Sequence, residues 1–307
     1  MTGGAGFLGT HLIENLVKKR NMEEKQIHVP RSREVDLRYY DNCIKVVQNI
    51  DIVIHLAARV GGIEYNRTHP GSLFYDNAKM GLNLMEAARE EGVEKFIGVS
   101  SVCAYPKNVT IPTKEEDLWE GYPEESNAAY GMAKKMLIIQ TKAYEQEYGF
   151  NAISLILANL YGPGDNFEDE KSHVIPALIK RMIHAKKTGK PYITLWGTGN
   201  PTRDFLYVKD AVEGIIQATE KYDKPYPVNL ASGKEISIKK LSEVLKEITE
   251  YNGELRWDTS KPDGQPRRLF SIKRAQTEFN FNPKTDLREG LRSTVDWYKE
   301  NIQRLEV

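Results

Sequence analysis

Cysteine is scarce in this sequence of 307 residues, which contains only Cys43 and Cys103. Two cysteines cannot build the disulfide framework of a small secreted domain. Neither lies in the CxxC or Cys/His spacing of a zinc site. We therefore expect no metal and a reducing compartment, which points to the cytoplasm.

An excess of charge of one sign is also missing. Lys plus Arg and Asp plus Glu both number 43, so the net charge is zero. Such a chain has no general electrostatic attraction for nucleic acid or for an anionic membrane. No stretch approaches the ~20 consecutive apolar residues that cross a bilayer, and no charged segment followed by an apolar one opens the chain. We expect no nucleic-acid partner, no membrane partner and no export.

What the sequence contains is typical of a folded globular protein, with 40% hydrophobic and 28% charged residues. In the first half, short β-rich runs alternate with longer amphipathic patterns, which predicts βαβ units and a parallel sheet. The predicted strands are 26–29, 51–57, 95–101 and 152–160, and the predicted helices are 7–20, 39–49, 72–91 and 127–148.

The alternation changes after Tyr161. The second half predicts helices at 174–187, 208–220, 238–250, 272–278 and 287–301, with strands at 192–196, just after 227, and at 254–258. We therefore predict an α/β fold of two parts. Residues 1–165 would form a Rossmann-like, doubly wound domain, to which 204–228 returns, and residues 166–307 would form a smaller α/β lobe.

Glycines recur every third residue at Gly3, Gly6 and Gly9, directly before the first predicted helix. This spacing lets the backbone approach a pyrophosphate at the helix N-terminus, with Phe7 and Leu8 in the same turn. The strand that should precede such a motif is missing. We expect a truncated first strand and hypothesise a misassigned start, in which a GTG codon for valine is read as the initiating Met. Sequencing the native N-terminus tests this.

Arginines follow the second predicted strand, where an NAD enzyme usually carries an acidic residue for the ribose hydroxyls. Arg31 and Arg33 would suit the 2′-phosphate of NADP, although both could equally be solvated loop charges. Asp36 is a candidate cap for the adenine. The residues expected under the cofactor at the end of the next strand are Leu56, Ala57 and Ala58.

Two polar side chains end the strand predicted at 95–101. Ser101 and Cys103 are two residues apart, so both would face the cleft if the extended conformation continues. The carboxyl edge of an open α/β sheet is where ligands bind. A lone cysteine is more often a small buried hydrophobe.

Tyr130 and Lys134 lie four residues apart on a predicted helix and therefore on one face. An ammonium there would lower the pKa of the phenol and let tyrosine exchange a proton with a carbonyl. The chain holds a second Tyr-x-x-x-Lys pair, Tyr75 and Lys79, which we interpret as structural because it precedes the serine-bearing strand.

Together these residues resemble the extended short-chain dehydrogenase/reductases that act on nucleotide sugars, and more narrowly the GDP-L-fucose synthases. The resemblance covers essentially the whole chain. The segments that carry the narrower resemblance are VGGI at 60–63, SVCAYPK at 101–107, NLYGP at 159–163, DNF at 165–167, SHVIPALI at 172–179, WGTG at 196–199 and KPDG at 261–264.

The resemblance implies conversion of GDP-4-keto-6-deoxy-D-mannose to GDP-L-fucose with NADPH. A C4 ketone acidifies the protons on C3 and C5, so Cys103 and His173 would exchange them with inversion. Ser101 and Asn159 would stabilise the enolate, and Tyr130 would supply the proton after hydride delivery to C4. The alternative for His173 is a packing or capping residue. Further cofactor contacts are expected from Lys134, Asn159, Leu160 and His173.

Substrate contacts are expected from the second half. Arg181 and Arg203 would clamp the sugar diphosphate, although exposed ion pairs are the alternative. Trp196 and Lys261 are candidate walls of the nucleotide pocket, and Asp263 is a further candidate contact.

Two long helices, 72–91 and 127–148, resemble helices that pair across a dimer axis in similar proteins, so we expect a homodimer. Two alternative functions stay open. One is an epimerase/reductase of another 4-keto sugar nucleotide, such as a GDP-heptose. The other is a non-catalytic nucleotide-binding relic, against which the joint retention of the five candidate catalytic residues argues.

Overall fold

The computed structural model describes residues 1–169, 172–261 and 263–305 of the chain. The strands are β1 (Ile52–His55), β2 (Lys95–Ser101), β3 (Ala152–Leu157), β4 (Asn159–Tyr161), β5 (Tyr192–Trp196), β6 (Thr202–Tyr207), β7 (Val228–Leu230), β8 (Glu235–Ser237) and β9 (Glu254–Asp258). The helices are α1 (Phe7–Arg20), α2 (Tyr40–Val47), α3 (Ile63–Thr68), α4 (Pro70–Glu90), α5 (Ala128–Tyr148), α6 (Val174–Lys187), α7 (Val208–Lys221), α8 (Ile238–Thr249), α9 (Lys273–Phe279) and α10 (Leu287–Leu305).

A parallel sheet organises the first part of the molecule, with strand order β1-β2-β3-β7. β3 is buried along its whole length, as expected for a strand covered on both faces. One apolar cluster joins the sheet to α1, α7 and α9, and another joins it to α2 and α4. Helices on both faces confirm the doubly wound fold predicted from the sequence.

The strand predicted at 26–29 is wrong. A 3₁₀ turn, Glu24–Gln26, occupies its beginning. A strand needs a neighbouring backbone for its ladder. On the side of β1 away from β2, the described residues offer only Thr2, which pairs with His55 in parallel. The backbone N–H of Thr2 donates to Ile54 O at 3.0 Å. The truncated strand expected before the glycine motif is thus present as a single β-bridge at Thr2.

The single strand predicted at 152–160 is two strands. The chain leaves the first sheet at Ala158, whose N–H donates to Leu230 O at 2.9 Å. β4 then pairs with β6 in a second sheet, and β6 pairs antiparallel with β8. β6 and β8 were not predicted because they are short and carry polar or charged residues.

A second core lies around β5 and β9, which form a parallel pair. Its apolar residues come from β4, β6, α6, α8 and α10. The chain returns to the first core through Leu206, α7 and β7, and again through Phe270, Phe279 and Phe281. The helices predicted at 7–20 and 174–187 have the same bounds in the structure.

Candidate active site

The glycine motif forms a tight cradle at the end of β1. Gly3 has φ +69°, and a Cβ there would lie 2.7 Å from Ala57 N. A Cβ on Gly9 would lie 2.4 Å from Gly3 O. Gly6 precedes the first turn of α1 without a capping side chain, so N–H groups of that turn stay available for an anion. The cradle fits a pyrophosphate.

The arginines expected at the 2′-phosphate lie in an exposed turn. Arg31 and Arg33 are both exposed, and Arg33 Nε donates to Glu34 at 3.0 Å. This position leaves both guanidinium groups open to an anionic ligand, and it also fits solvated loop charges. Leu56 and Ala57 follow β1 and donate through their N–H groups to Thr2, at 3.1 and 3.3 Å.

Asp36 is held in an ion-pair network rather than left open. Arg38 donates to it through Nε and Nη2, and these bonds lower the pKa of Asp36. Arg38 also reaches Asp76, whose second oxygen accepts from Arg59 at 2.8 Å. No sequence motif marked Arg38 or Arg59, since their common partner lies far along the chain on α4.

The extended conformation stops at Ser101, so the condition under which Ser101 and Cys103 were expected to face the same side as in a strand is not met. Residues Val102–Ala104 form a 3₁₀ turn. The turn nevertheless brings the two residues together, because Ser101 Oγ accepts from Cys103 N at 3.2 Å. Asn127 Nδ2 donates to Cys103 Sγ at 3.4 Å.

Tyr130 lies at the start of α5, next to the turn that carries these two residues, because a Cβ on the adjacent Gly131 would lie 2.2 Å from Cys103 O. Both Ser101 and Cys103 affect the pKa of the Tyr130 phenol. The pKa of Tyr130 is raised, first by burial and then by Cys103, while Ser101 opposes the rise. The expected lowering of the phenol pKa by Lys134 is therefore wrong for the unliganded protein, and the phenol stays protonated.

Lys134 is anchored to β2 one helical turn from Tyr130. Its Nζ donates to Val99 O at 3.0 Å and lies 6.0 Å from the centroid of the Tyr130 ring. Burial lowers the pKa of Lys134 to about 8. In the other Tyr-x-x-x-Lys pair, Lys79 Nζ donates to Tyr75 OH at 2.9 Å on an exposed surface, in keeping with a structural role.

His173 directly precedes α6 and is exposed to solvent. Desolvation by the surrounding protein still lowers its pKa. Within residues 1–169, 172–261 and 263–305, no hydrogen bond joins His173 to Cys103 or Tyr130. Asn159 and Leu160 lie on β4, half-buried. The structure thus brings Ser101, Cys103 and Tyr130 together and does not join His173 to them.

Asp165, in the loop between β4 and α6, is a buried carboxyl group. Its Oδ1 accepts from Asn166 N at 2.7 Å, whereas Oδ2 is buried without a partner among the described residues. Burial raises the pKa of Asp165 from 3.8 to about 7. The folded state therefore binds a proton more tightly than the unfolded chain does.

We expect Asp165→Asn to stabilise the protein at alkaline pH. Because the folded pKa is raised, the contribution of Asp165 to stability is fully present below its unfolded pKa and is lost as the pH rises through about 7. At pH 8.5 the variant should gain about 2–4 kcal/mol in free energy of unfolding. Urea denaturation at several pH values measures this. The exposed Asp296→Asn serves as a control, and an equal gain for Asp165→Asn at pH 4 and 8.5 would contradict the explanation.

The candidate substrate residues Trp196, Lys261 and Asp263 lie in one group of loops. Lys261 Nζ lies 5.6 Å from the centroid of the Trp196 ring, and Trp196 is 64% exposed. Asp263 accepts from the N–H and hydroxyl of Thr198, at 2.6 and 2.7 Å, and these bonds lower its pKa. Pro262 of the KPDG segment lies outside the described residues.

The two candidate diphosphate-binding arginines lie in different surroundings. Arg181 Nη1 donates to Thr194 O at 3.5 Å. Arg203 Nη1 donates to Gln265 O at 2.7 Å, and burial followed by a neighbouring arginine, Arg268, lowers its pKa to about 10. Two half-buried cations that repel each other favour an anionic ligand.

Sequence reasoning missed Arg268. Its Nη1 donates to Val102 O at 2.7 Å, and its Nη2 is buried without a partner among the described residues. Burial lowers the pKa of Arg268, and the nearby Cys103 opposes that effect. The only signal in the sequence was its position four residues beyond KPDG.

A cavity of about 370 Å³ opens beside Tyr130 and Asn127. Its other walls include Asn66 and Arg67 from α3 and Glu124 from the turn before α5. Across the described ranges, no group of three or more His, Cys, Asp or Glu side chains could hold a metal ion. No helix in the described part of the chain is long and apolar enough to cross a membrane.

A parallel sheet with a glycine cradle and a Ser/Tyr/Lys group at its carboxyl edge is typical of enzymes that use a dinucleotide cofactor. The chain belongs to the NAD dependent epimerase/dehydratase family, whose sequence profile matches residues 1–231. This confirms the resemblance to extended short-chain dehydrogenase/reductases.

Individual relatives and solved structures are more specific about the type of enzyme than the family profile is. The chain is 38% identical over 305 residues to a probable GDP-L-fucose synthase 1 of Oryza sativa subsp. japonica, covering 98% of this chain and 92% of that one. A GDP-L-fucose synthetase from Naegleria fowleri bound to NADP has a TM-score of 0.85 at 31% identity, covering 98% and 94%. A GDP-6-OMe-4-keto-L-xylo-heptose reductase from C. jejuni has a TM-score of 0.91 at 27% identity, covering 98% and 97%.

Proposed function

We propose that this protein is a GDP-L-fucose synthase, which epimerises GDP-4-keto-6-deoxy-D-mannose at C3 and C5 and reduces it at C4 with NADPH. The observation that carries the proposal is the close packing of the start of α5, which bears Tyr130, on the turn that bears Cys103. A Cβ on Gly131 would lie 2.2 Å from Cys103 O, and Ser101 Oγ accepts from Cys103 N at 3.2 Å. In this proposal the phenol serves the reduction and the thiol serves the epimerisation of one carbonyl substrate. The identity to GDP-L-fucose synthases over nearly the whole chain supports it.

The residues of the chain divide the chemistry between them. The Cys103 sulfur and the His173 imidazole remove and return protons at C3 and C5. Ser101 Oγ and the Asn159 amide donate to the developing enolate oxygen. Tyr130, protonated because burial raises its pKa, gives its proton to the C4 oxygen.

NADP(H) is the cofactor that fits the glycine cradle. Bound NADPH supplies the hydride for C4. Gly3, Gly6 and Gly9 let the backbone reach the pyrophosphate, Arg31 and Arg33 bind the 2′-phosphate, and Lys134 holds the cofactor next to Tyr130. Supporting cofactor contacts come from Phe7, Leu8, Asp36, Leu56, Ala57, Ala58, Asn159, Leu160 and His173.

The substrate is bound by the second part of the chain. Arg181 and Arg203 hold the diphosphate, while Trp196, Lys261 and Asp263 hold the nucleoside end. Residues 1–165, with 204–228, bind the cofactor, and residues 166–307 bind the GDP-sugar.

The proposal includes a homodimer in the cytoplasm. α4 and α5 pack on each other and carry exposed apolar side chains, among them Phe74, Tyr75 and Ile139, which a second copy would cover. Both cysteines are free thiols, which suits a reducing compartment.

Turnover in deuterated water tests the function. The protein is mixed with NADPH and GDP-4-keto-6-deoxy-D-mannose, and NADPH loss and product mass are followed. NADPH oxidation with two solvent deuterons in GDP-fucose is the expected result. Exchange without oxidation would leave an epimerase only, and absence of both would refute the proposal.

A GDP-4-keto-heptose is the second candidate substrate, because the heptose reductase from C. jejuni has a TM-score of 0.91. The same assay with that sugar nucleotide distinguishes the two. A higher kcat/KM for the heptose would replace the fucose proposal.

A further inference from the structure

The side chain of Asn127 has one described hydrogen bond, and its partner is the thiol of Cys103. The amide Nδ2 lies 3.4 Å from Sγ. Asn127 directly precedes α5, yet its side chain makes no capping bond to the helix. The start of α5 therefore does not depend on this amide, which leaves the contact with sulfur as its described role.

The other atom of the amide fixes the direction of this bond. Asn127 Oδ1 is buried and has no partner among the described residues. Turning the amide over would place Oδ1 on the sulfur and bury the NH₂ group, with its two donors, in the same unpartnered position. An unpaired N–H is less tolerated than an unpaired carbonyl oxygen. The orientation with nitrogen on sulfur is thus favoured, and it makes the sulfur an acceptor.

Cys103 is fixed on its other sides as well. Its N–H donates to Ser101 Oγ at 3.2 Å, and its carbonyl oxygen would lie 2.2 Å from a Cβ on Gly131. The charged or titratable groups that face the thiol are Arg268, from the segment after β9, and Tyr130 on α5. Arg268 favours a negative sulfur, and Tyr130 stays neutral over the pH range of an assay.

We propose that Asn127 is a positioning residue, which donates a hydrogen bond to Cys103 Sγ and thereby favours the thiolate. A thiolate can accept a proton from carbon, with the C–H electron pair moving into the enolate, and an N–H donor stabilises that charge. The proton transfer from carbon to sulfur depends on the proposed function. The ionisation of the Cys103 thiol does not depend on it.

The pH dependence of alkylation tests the proposal without any substrate. Cys43 is fully buried, so iodoacetamide should react first at Cys103, and peptide mass spectrometry identifies the modified residue. In Asn127→Ala we expect the midpoint of the pH–rate curve to rise by about one pH unit, since a donor to a charged group is lost. Asn127→Asp, which keeps the shape but replaces the donor with a carboxylate, should raise it further.

The controls separate positioning from a general loss of structure. Asn301→Ala removes an amide that donates to Trp297 O on α10, and its midpoint should equal that of the wild type. An unchanged midpoint in both Asn127 variants would overturn the proposal. A lowered midpoint would also overturn it, because the amide would then accept from the neutral thiol.

A measurement on the wild-type protein covers the case in which a variant does not fold. The Asn127 side-chain NH₂ signals, followed by ¹⁵N NMR, should titrate with the alkylation midpoint and lose that titration in Cys103→Ser. Constant signals would contradict the proposal. Turnover assays distinguish the two proposals. An altered alkylation midpoint in the Asn127 variants of a protein without turnover would refute the synthase function and would support the role of Asn127.

Discussion

NADPH oxidation by Tyr130→Phe is expected to fall by ~10²–10⁴-fold, the usual contribution of a positioned general acid. The variant loses the hydroxyl that would protonate the C4 oxygen, while the half-buried ring keeps its packing. In the proposed mechanism epimerisation uses Cys103 and His173, so solvent deuterium should still enter C3 and C5. Stopped-flow absorbance of NADPH and product mass separate the two half-reactions.

The chain contains its own matched control for this prediction. Tyr75→Phe removes a hydroxyl from the same Tyr-x-x-x-Lys pattern, with Lys79 bonded to it at 2.9 Å, but on an exposed surface of α4. Its NADPH oxidation should equal that of the wild type. Equal losses in the two variants, or an unimpaired Tyr130→Phe, would remove Tyr130 from the catalytic group.

Gly9→Ala is expected to weaken NADPH binding by about 5- to 150-fold. A Cβ at this position would lie 2.4 Å from Gly3 O and 2.5 Å from Gly4 Cα, which are backbone atoms that cannot rotate away. The cradle must open, and overpacking of this kind costs about 1–3 kcal/mol, equivalent to that change in Kd. Isothermal titration calorimetry with NADPH measures it.

Gly71→Ala is the control for added volume. A Cβ at Gly71, in the first turn of α4, meets nothing within 4 Å, so NADPH affinity should stay the same. Unaltered affinity in Gly9→Ala would show that the pyrophosphate does not lie on this cradle.

Sequence periodicity predicted the elements whose apolar pattern is local. α1, β2 and α6 have the predicted bounds because each repeats its own pattern over seven or more residues. The prediction of a strand at 26–29 was wrong because a strand also needs a neighbour, and among the described residues only Thr2 pairs with β1 on the side away from β2. The prediction of one long strand at 152–160 was wrong because the chain changes sheets at Ala158. The partners there, Leu230 and β6, are distant in the sequence.

The sequence predicts which residues form the site better than it predicts their geometry. Motifs marked Ser101, Cys103 and Tyr130, which the structure brings together, and their catalytic roles stay predictions. The 3₁₀ turn at Val102–Ala104 was not predictable, because one of its contacts comes from Arg268, 166 residues away. The raised pKa of Tyr130 likewise follows from burial, which spacing alone does not reveal.

The short segment 263–268 touches both ends of the cleft. Asp263 binds Thr198 in the loop after Trp196, Gln265 O accepts from Arg203, and Arg268 binds Val102 beside the thiol. Under the two proposals made above, nucleotide preference and thiol reactivity therefore depend on the same short stretch of backbone. A redesign for a different sugar nucleotide would have to change nucleotide preference and thiol reactivity together. Exchanging segment 263–268 alone would also displace Arg268, the cation beside Cys103.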